Sequence, residues 1–416
     1  MTEETTAPEE QSVFFTRQPI FDARRSIWGY ELLGCEIKDG IHPVFPGQGG
    51  GTVWSAGTYV GLQEAMERGK KIMVGFDKAG ILAGLPYALP PSSGVVRVLP
   101  GPTPASELDG ALRKLRSDGY RIAVEILPRS PLPVHLMAQA DILAWDLGRS
   151  TPESALFHGI KEHKGNLLAR GVKTGEQFQA ARHMDFTLFQ GSFFKESERV
   201  PNRRLGSNEV TRLNLFRLME GVDPDFKALA AAVRSDVSLS FRLLSYLNSA
   251  SFGFRQNIQS IDQAVLLLGW QKLKSWLRAV LLVDMAGKDE VPRELAALSL
   301  LRGKFLEVLA TRVDYWGFNP GTLFLMGLFS LLDAILGMPM EKVVELLPLD
   351  ARLKAALQRE PNNEYRPLFE LLEHLEDADW PALEVLAKNL CVDLQLLKNV
   401  FAQAREWSLG FFAQGA

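Results

Sequence analysis

Cysteine is nearly missing from this chain: its 416 residues include two, Cys35 and Cys391, far apart in sequence. That excludes a disulfide scaffold and a cysteine-built zinc site, and it suits a reducing compartment. Histidine is scarce as well, and of six only His374 lies beyond position 200, so a histidine-rich metal centre in the second half is excluded. Neither sign of charge dominates. Lys and Arg number 46 against 49 Asp and Glu, a net charge of -3, which gives no drive toward a nucleic-acid polymer. Long apolar runs are missing too: Ala279 to Met285 stops at Gly287-Lys288-Asp289, and Leu323 to Met338 is interrupted by Ser330, Asp333 and Gly337. Both fall short of the roughly 20 residues that a membrane helix needs. The opening MTEETTAPEEQS is acidic and polar, without the basic-plus-apolar pattern of a signal peptide, and reads as a disordered tail on a cytoplasmic protein. Gln48 to Thr52 is glycine-rich but lacks the Lys and the spacing of a phosphate-binding loop, so it reads as a flexible turn.

The chain is long enough for two domains, and 46% hydrophobic residues suffice for two cores. Val13 to Arg17 and Ile27 to Leu33 read as the strands of a hairpin, with Pro19, Asp22 and Ala23 to Ser26 as its turn. Short apolar runs follow at Lys71 to Gly75, Val95 to Val98, Arg121 to Glu125, Asp141 to Trp145, Leu167 to Ala169 and Leu188 to Phe194. Helix-length stretches separate them: Trp54 to Arg68, Ala105 to Ser117, Ser150 to His163 and Glu176 to Met184. This alternation within about 200 residues predicts a closed α/β TIM-like (β/α) barrel, whose chemistry sits at the C-terminal ends of the strands. From the polar segment Ser197 to Gly206 onward the periodicity is helical throughout. The expected organisation is therefore a tail over 1–12, a barrel over 13–200 and an all-α domain over 201–416.

The stretch FTRQPIFDARRSIWGYELLGC, Phe15 to Cys35, resembles the opening of the EAL family of cyclic-di-GMP phosphodiesterases. The resemblance implies an N-terminal EAL-type barrel in which carboxylates, an Asn and a Lys hold two divalent metals. Glu31 in GYELL matches the first ligand, followed by Leu32 and Leu33, while Cys35 falls where an Arg usually contacts a ligand phosphate. The other positions depart from the pattern. The Asn position falls on Gly75, the third-strand Glu positions on Arg97 and Pro100, and the Asp pair on Glu125-Ile126. The Lys position falls on Ala144, with Asp146 retained beyond it, and ARGVKT puts Arg170 and Lys173 where carboxylates belong. Gln190-Gly191 keeps the family's closing pair. Hard divalent ions need clustered oxygen ligands, so the altered set predicts no metal site and no catalytic residue. Arg97, Arg170 and Lys173 add positive charge there and are candidate contacts for nucleotide phosphates.

In the helical half, Ser235 to Trp270 resembles the HDOD domain, an output module related to HD phosphohydrolases but without their metal site. The resemblance rests on Asp236, Arg242, Asn248, Ser249, Ala250 and Gly269, together with the apolar positions between them. These motif residues are expected to be structural, Asn248 to Ala250 reading as a helix C-terminus. Ser330-Leu331 falls where a His-Asp pair would lie, and Asp333 has no partner ligand in the sequence. The order EAL then HDOD matches a two-domain bacterial signalling architecture. The expectation drawn from these residues is a non-catalytic adaptor in cyclic-di-GMP signalling, with other signalling proteins as partners, no cofactor and no membrane role. The alternative is a metal-independent cyclic-di-GMP receptor, with an active phosphodiesterase as a third reading.

Overall fold

The structure is a computed structural model that describes residues 13–37, 41–44, 69–99, 105–126, 134–149, 160, 163–197, 205–220, 226–247, 263, 269–313 and 317–412. Several expected features lie outside those residues: the helix over Trp54 to Arg68, most of that over Ser150 to His163, the turn Gln48 to Thr52, Pro100, and Asn248 to Ala250. The chain divides into two compact units, one of Met1–Phe194 with Glu370–Gln395 and one of Lys195–Phe369 with Leu396–Ala416.

The strands of the first unit are β1 (Val13–Asp22), β2 (Ile27–Ile37), β3 (Ile41–Val44), β4 (Lys71–Phe76), β5 (Gly94–Val98), β6 (Arg121–Ile126), β7 (Ile142–Asp146), β8 (Asn166–Arg170) and β9 (Leu188–Gln190). They form one sheet in the order β1-β9-β8-β7-β6-β5-β4-β2-β3, and β1 also pairs with β2. That extra pairing closes an eight-stranded barrel, with β3 appended to β2 outside the ring. From β2 through β4 to β9 the barrel pairs are parallel, whereas β1 runs antiparallel to both of its neighbours. The helices among these strands are α1 (Lys78–Leu82), α2 (Asp109–Ser117), α3 (Val134–Met137) and α4 (Gly175–His183). Two have side-chain caps that fix where they start: Asp77 accepts from the Gly80 N–H at 2.7 Å and Thr174 from the Gln177 N–H at 3.1 Å.

The first strand of the hairpin is longer than the sequence suggests. Pro19 lies inside β1, opposite Tyr30, and the turn is confined to the residues after Asp22. Pairing of β1 with β9 covers only Ile20 to Asp22, so the missing N–H of Pro19 faces no β9 partner. The Asp22 carboxylate makes the turn by accepting from the N–H groups of Arg24 and Ser26, at 2.8 and 2.9 Å, around Arg25 at φ 63°. The expected strand over Leu188 to Phe194 ends at Gln190. Gly191 adopts φ 146° tight against Val172, and the 3₁₀ turn Ser192–Lys195 then brings Phe193 onto Phe178 in a stacked contact at 4.8 Å.

The second half is helical, as expected: α5 (Ser207–Glu220), α6 (Phe226–Ser235), α7 (Val237–Leu247), α8 (Trp270–Ala286), α9 (Glu290–Arg312), α10 (Pro320–Phe329), α11 (Leu332–Leu336), α12 (Met340–Glu345), α13 (Ala351–Leu357), α14 (Arg366–Asp377), α15 (Trp380–Asn389) and α16 (Leu394–Leu409). Of these, α15 belongs wholly to the first unit. The apolar stretch from Leu323 to Met338 is divided between two helices, α10 and α11. Ser330 ends the first by donating its hydroxyl to the Gly327 carbonyl at 2.7 Å, and the buried Arg302 donates to Ser330 in turn at 3.0 Å. Among the described residues no helix is long and apolar enough to cross a membrane.

Candidate functional site

Alternation along the strands decides which side chains fill the barrel. Ile20, Met73, Val95, Ala123, Ile142, Ala144, Leu168 and Leu188 form one buried apolar cluster at its centre. Side chains two apart on a strand share a face. Two residues further along β4, β5, β6, β7, β8 and β9, the inward positions are therefore Gly75, Arg97, Glu125, Asp146, Arg170 and Gln190. A polar layer thus crowns an apolar interior at the strands' C-terminal ends, where barrels of this kind carry their sites. Glu31 joins it from β2, with none of its surface exposed.

The layer is a closed network of ion pairs. Arg97 Nε lies 2.7 Å from Glu31 Oε1, and Arg97 Nη1 is 3.0 Å from Glu125 Oε2. Arg170 reaches both carboxylates, with Nη2 at 2.9 Å from Glu31 Oε2 and Nη1 at 3.3 Å from Glu125 Oε2. Gln190 closes the ring, accepting from Arg170 Nε at 2.8 Å and donating to Glu31 Oε2 at 2.7 Å. Burial pushes the Glu31 carboxyl up, but Arg170 and Arg97, with the hydrogen bond from Gln190, outweigh it and hold it below its ordinary value. Burial acts against the charge of both guanidiniums. It prevails at Arg97, whose proton is held less tightly than usual, whereas Glu31, Glu125 and Asp146 reverse it at Arg170.

The positive charge that Arg97 and Arg170 add to the site is matched by carboxylates within it. Two guanidiniums face two glutamates, and all three Arg170 nitrogens already have acceptors in the network. The remaining predicted residues sit around it. Lys173 is exposed in the turn before α4, where its backbone N–H donates to Gln177. Asp146 accepts from the Gly148 N–H at 2.9 Å and pairs with Arg149 at 3.2 Å. Leu32 and Leu33 are half-buried on β2, and Cys35 is buried, its thiol pushed up to about 12 by that burial. Sequence reasoning missed the link between Gly75 and Arg97. They are neighbours in the β4–β5 register, and a Cβ on Gly75 would lie 3.0 Å from Arg97 Nη2.

A divalent pair needs several unoccupied oxygens converging on each ion. Here both Glu31 oxygens and the Glu125 oxygen facing them are taken by guanidiniums, and among the described residues no group of three or more His, Cys, Asp or Glu side chains could hold a metal ion. The donor set does not fit two divalent ions.

In the second unit the described residues of the HDOD motif, Asp236, Arg242 and Gly269, lie at helix starts and in ion pairs. Asp236 caps α7 by accepting from the Leu239 N–H at 3.0 Å, and its other oxygen takes Arg212 Nη1 at 2.7 Å. Arg212 Nε continues to Asp284 at 3.0 Å, and Asp284 pairs with Arg242 at 2.6 Å, so one charge chain ties α5, α7 and α8 together. Gly269, at φ 75°, precedes α8. Asp333 opens α11, and burial pushes its carboxyl up to about 6.

The HDOD domain family matches residues 207–345. A Vibrio cholerae protein named cyclic di-GMP phosphodiesterase CdgJ is 31% identical over 420 residues, covering 96% of this chain and 94% of its own length. The chain belongs to the EAL–HDOD family. The Bacillus subtilis protein YuxH is 28% identical, over 95% of this chain and 98% of its own. A solved EAL domain protein from Listeria monocytogenes is 16% identical, with a TM-score of 0.35, over 44% of this chain and 87% of its own. The likeness to CdgJ overturns the expectation of a protein without enzymatic activity: a relative matched over nearly its whole length is named a phosphodiesterase, and this points to an enzyme in the EAL–HDOD chain described here.

Proposed function

We propose that this EAL–HDOD protein works in cyclic-di-GMP signalling, with the C-terminal mouth of its barrel as the part that meets the cyclic dinucleotide and the HDOD domain as the output to a protein partner. The observation that carries the reading is the polar layer of Glu31, Arg97, Glu125, Arg170 and Gln190 above an apolar interior, at the end of the barrel where such folds place their ligands. The full-length likeness to a protein named a cyclic-di-GMP phosphodiesterase supplies the ligand class. Signalling further requires that occupancy of the barrel bias the state of the output, a coupling free energy of roughly 1–3 kcal/mol. The name of that relative favours a second reading, cleavage of the dinucleotide. Because the donor set does not fit a divalent pair, no metal-assisted step is assigned to these residues.

Calorimetric titration of the full chain with cyclic-di-GMP, with and without magnesium, tests the first reading, and chromatography of the same mixtures tests the second. Saturable heat that Gln190→Ala weakens is the expected result. Absence of binding at high dinucleotide concentration overturns it. Appearance of the linear dinucleotide, lost in Glu31→Gln, establishes cleavage.

A further inference from the structure

The structure assigns to Arg97 and Arg170 the place of built-in cations: their guanidiniums stand between Glu31 and Glu125 as the positive charges of the barrel mouth, which is assembled without a divalent metal. The geometry for this is reciprocal. Each arginine touches both glutamates and each glutamate touches both arginines, at 2.7 to 3.3 Å. A guanidinium is planar, stays charged at all ordinary pH values and presents several donors to carboxylate oxygens, so it can bridge two carboxylates as a bound cation would. Two arginines against two glutamates bring the network to neutrality. The next carboxylate of the layer, Asp146, is already paired with Arg149 at 3.2 Å, so two divalent ions would bring charge that these side chains do not balance.

Two other features of the chain accommodate the arginines. Gly75 carries no side chain where Arg97 Nη2 lies, and a Cβ there would stand only 3.0 Å away. Gln190 turns its carbonyl oxygen to Arg170 and its amide nitrogen to Glu31, fitting the donor of one and the acceptor of the other. Arg97 is 5% exposed and Gln190 2%, so this is an interior arrangement and not a solvated patch that ions could easily rearrange. Burying such charges carries a desolvation penalty that only close pairing offsets, so replacing either arginine leaves a glutamate unmatched. The proposal stands apart from the ligand reading above, because cyclic-di-GMP can bind or fail to bind a mouth whose cations are arginines.

The test uses the full chain and manganese alone. Titration with Mn²⁺ followed by electron paramagnetic resonance should show no saturable binding that depends on Glu31. A site that fills and disappears in Glu31→Gln overturns the proposal. A second arm replaces one cation: Arg170→Ala should melt lower than the parent chain, and millimolar guanidinium should recover part of that loss while the same concentration of Mn²⁺ does not. Recovery by Mn²⁺ overturns the proposal, and should the variant not fold, the titration of the parent chain decides.

Discussion

The guanidinium of Arg97 fills the space that a side chain on Gly75 would need. The two residues are register partners on β4 and β5, and a Cβ on Gly75 would stand 3.0 Å from Arg97 Nη2 and 3.1 Å from Leu99 Cδ2. Contacts this tight with the ends of side chains oblige those ends to move, and in a filled interior the cost of added methyl groups is about 1–3 kcal/mol. Gly75→Ala should therefore lower stability by about 1 kcal/mol and Gly75→Val by about 3, the larger residue pushing Arg97 off its glutamates. Urea unfolding followed by circular dichroism measures both. An unchanged midpoint for Gly75→Val would mean that Arg97 has room to spare.

Glu31 makes a prediction with a definite sign in pH. Its carboxyl is buried, which alone would raise it, yet the arginines and Gln190 hold it below the ordinary 4.5. A group depressed in the folded state contributes stability that is fully present above its unfolded value and is lost as pH falls through the folded one. Glu31→Gln leaves two buried guanidiniums short of a carboxylate and should cost about 3–5 kcal/mol near neutrality. On acidification below 4.5 the parent chain should lose more stability than the variant does, so the two unfolding midpoints converge. Parallel midpoints across that range would show that Glu31 does not titrate with folding.

The barrel was legible because its strands are short β-branched runs at steady intervals, and Met73, Val95, Ala123 and Leu168 show the inward alternation directly. What escaped notice were features set by local geometry. Four residues with a proline in their midst, Ile41 to Val44, do not announce the strand β3, and nothing in the sequence of Leu188 to Phe194 says that Gly191 will turn away from the sheet. Ser330 reads as one polar residue in an apolar helix, and only its bond to Gly327 and the approach of Arg302 show that the helix ends there. At the site, the positions of Glu31, Arg97, Glu125, Arg170 and Gln190 could be found by slot, but their charge balance could not. Counting each lost ligand separately made the arginines an excess, whereas pairing across five strands makes them partners.

Asp333 has the opposite pH behaviour to Glu31. Burial pushes its carboxyl from 3.8 up to about 6. A group raised in the folded state contributes stability that is fully present below its unfolded value and is lost as pH rises through the folded one. The parent chain should therefore weaken between 3.8 and about 6 on this account, and Asp333→Asn should remove that slope. At neutrality the variant should be more stable by about 1–3 kcal/mol, the lower end reflecting partial solvent access. Thermal melts of both proteins across this range provide the measurement, and a variant no more stable than its parent at neutrality would contradict it.

Gly110 and Gly327 look alike in the sequence but differ in what surrounds them. Gly110 lies in α2 with nothing within 4 Å of the place a Cβ would take, whereas a Cβ on Gly327 in α10 would lie 2.6 Å from the Cα of Gly303 in α9. The α9–α10 contact is thus between backbones, and both sides depend on it, since a Cβ on Gly303 would stand 2.9 Å from the Phe324 carbonyl oxygen. Backbone cannot swing aside as a side-chain tip can. Gly327→Ala should force the helices apart at a cost of about 3 kcal/mol or more. Gly110→Ala should instead raise stability by about 0.5–1 kcal/mol, because alanine restricts the unfolded chain and favours the helix. Opposite shifts in urea midpoint for the same chemical change are the expected outcome; a neutral Gly327→Ala would show that α9 and α10 do not meet as closely as their glycines allow.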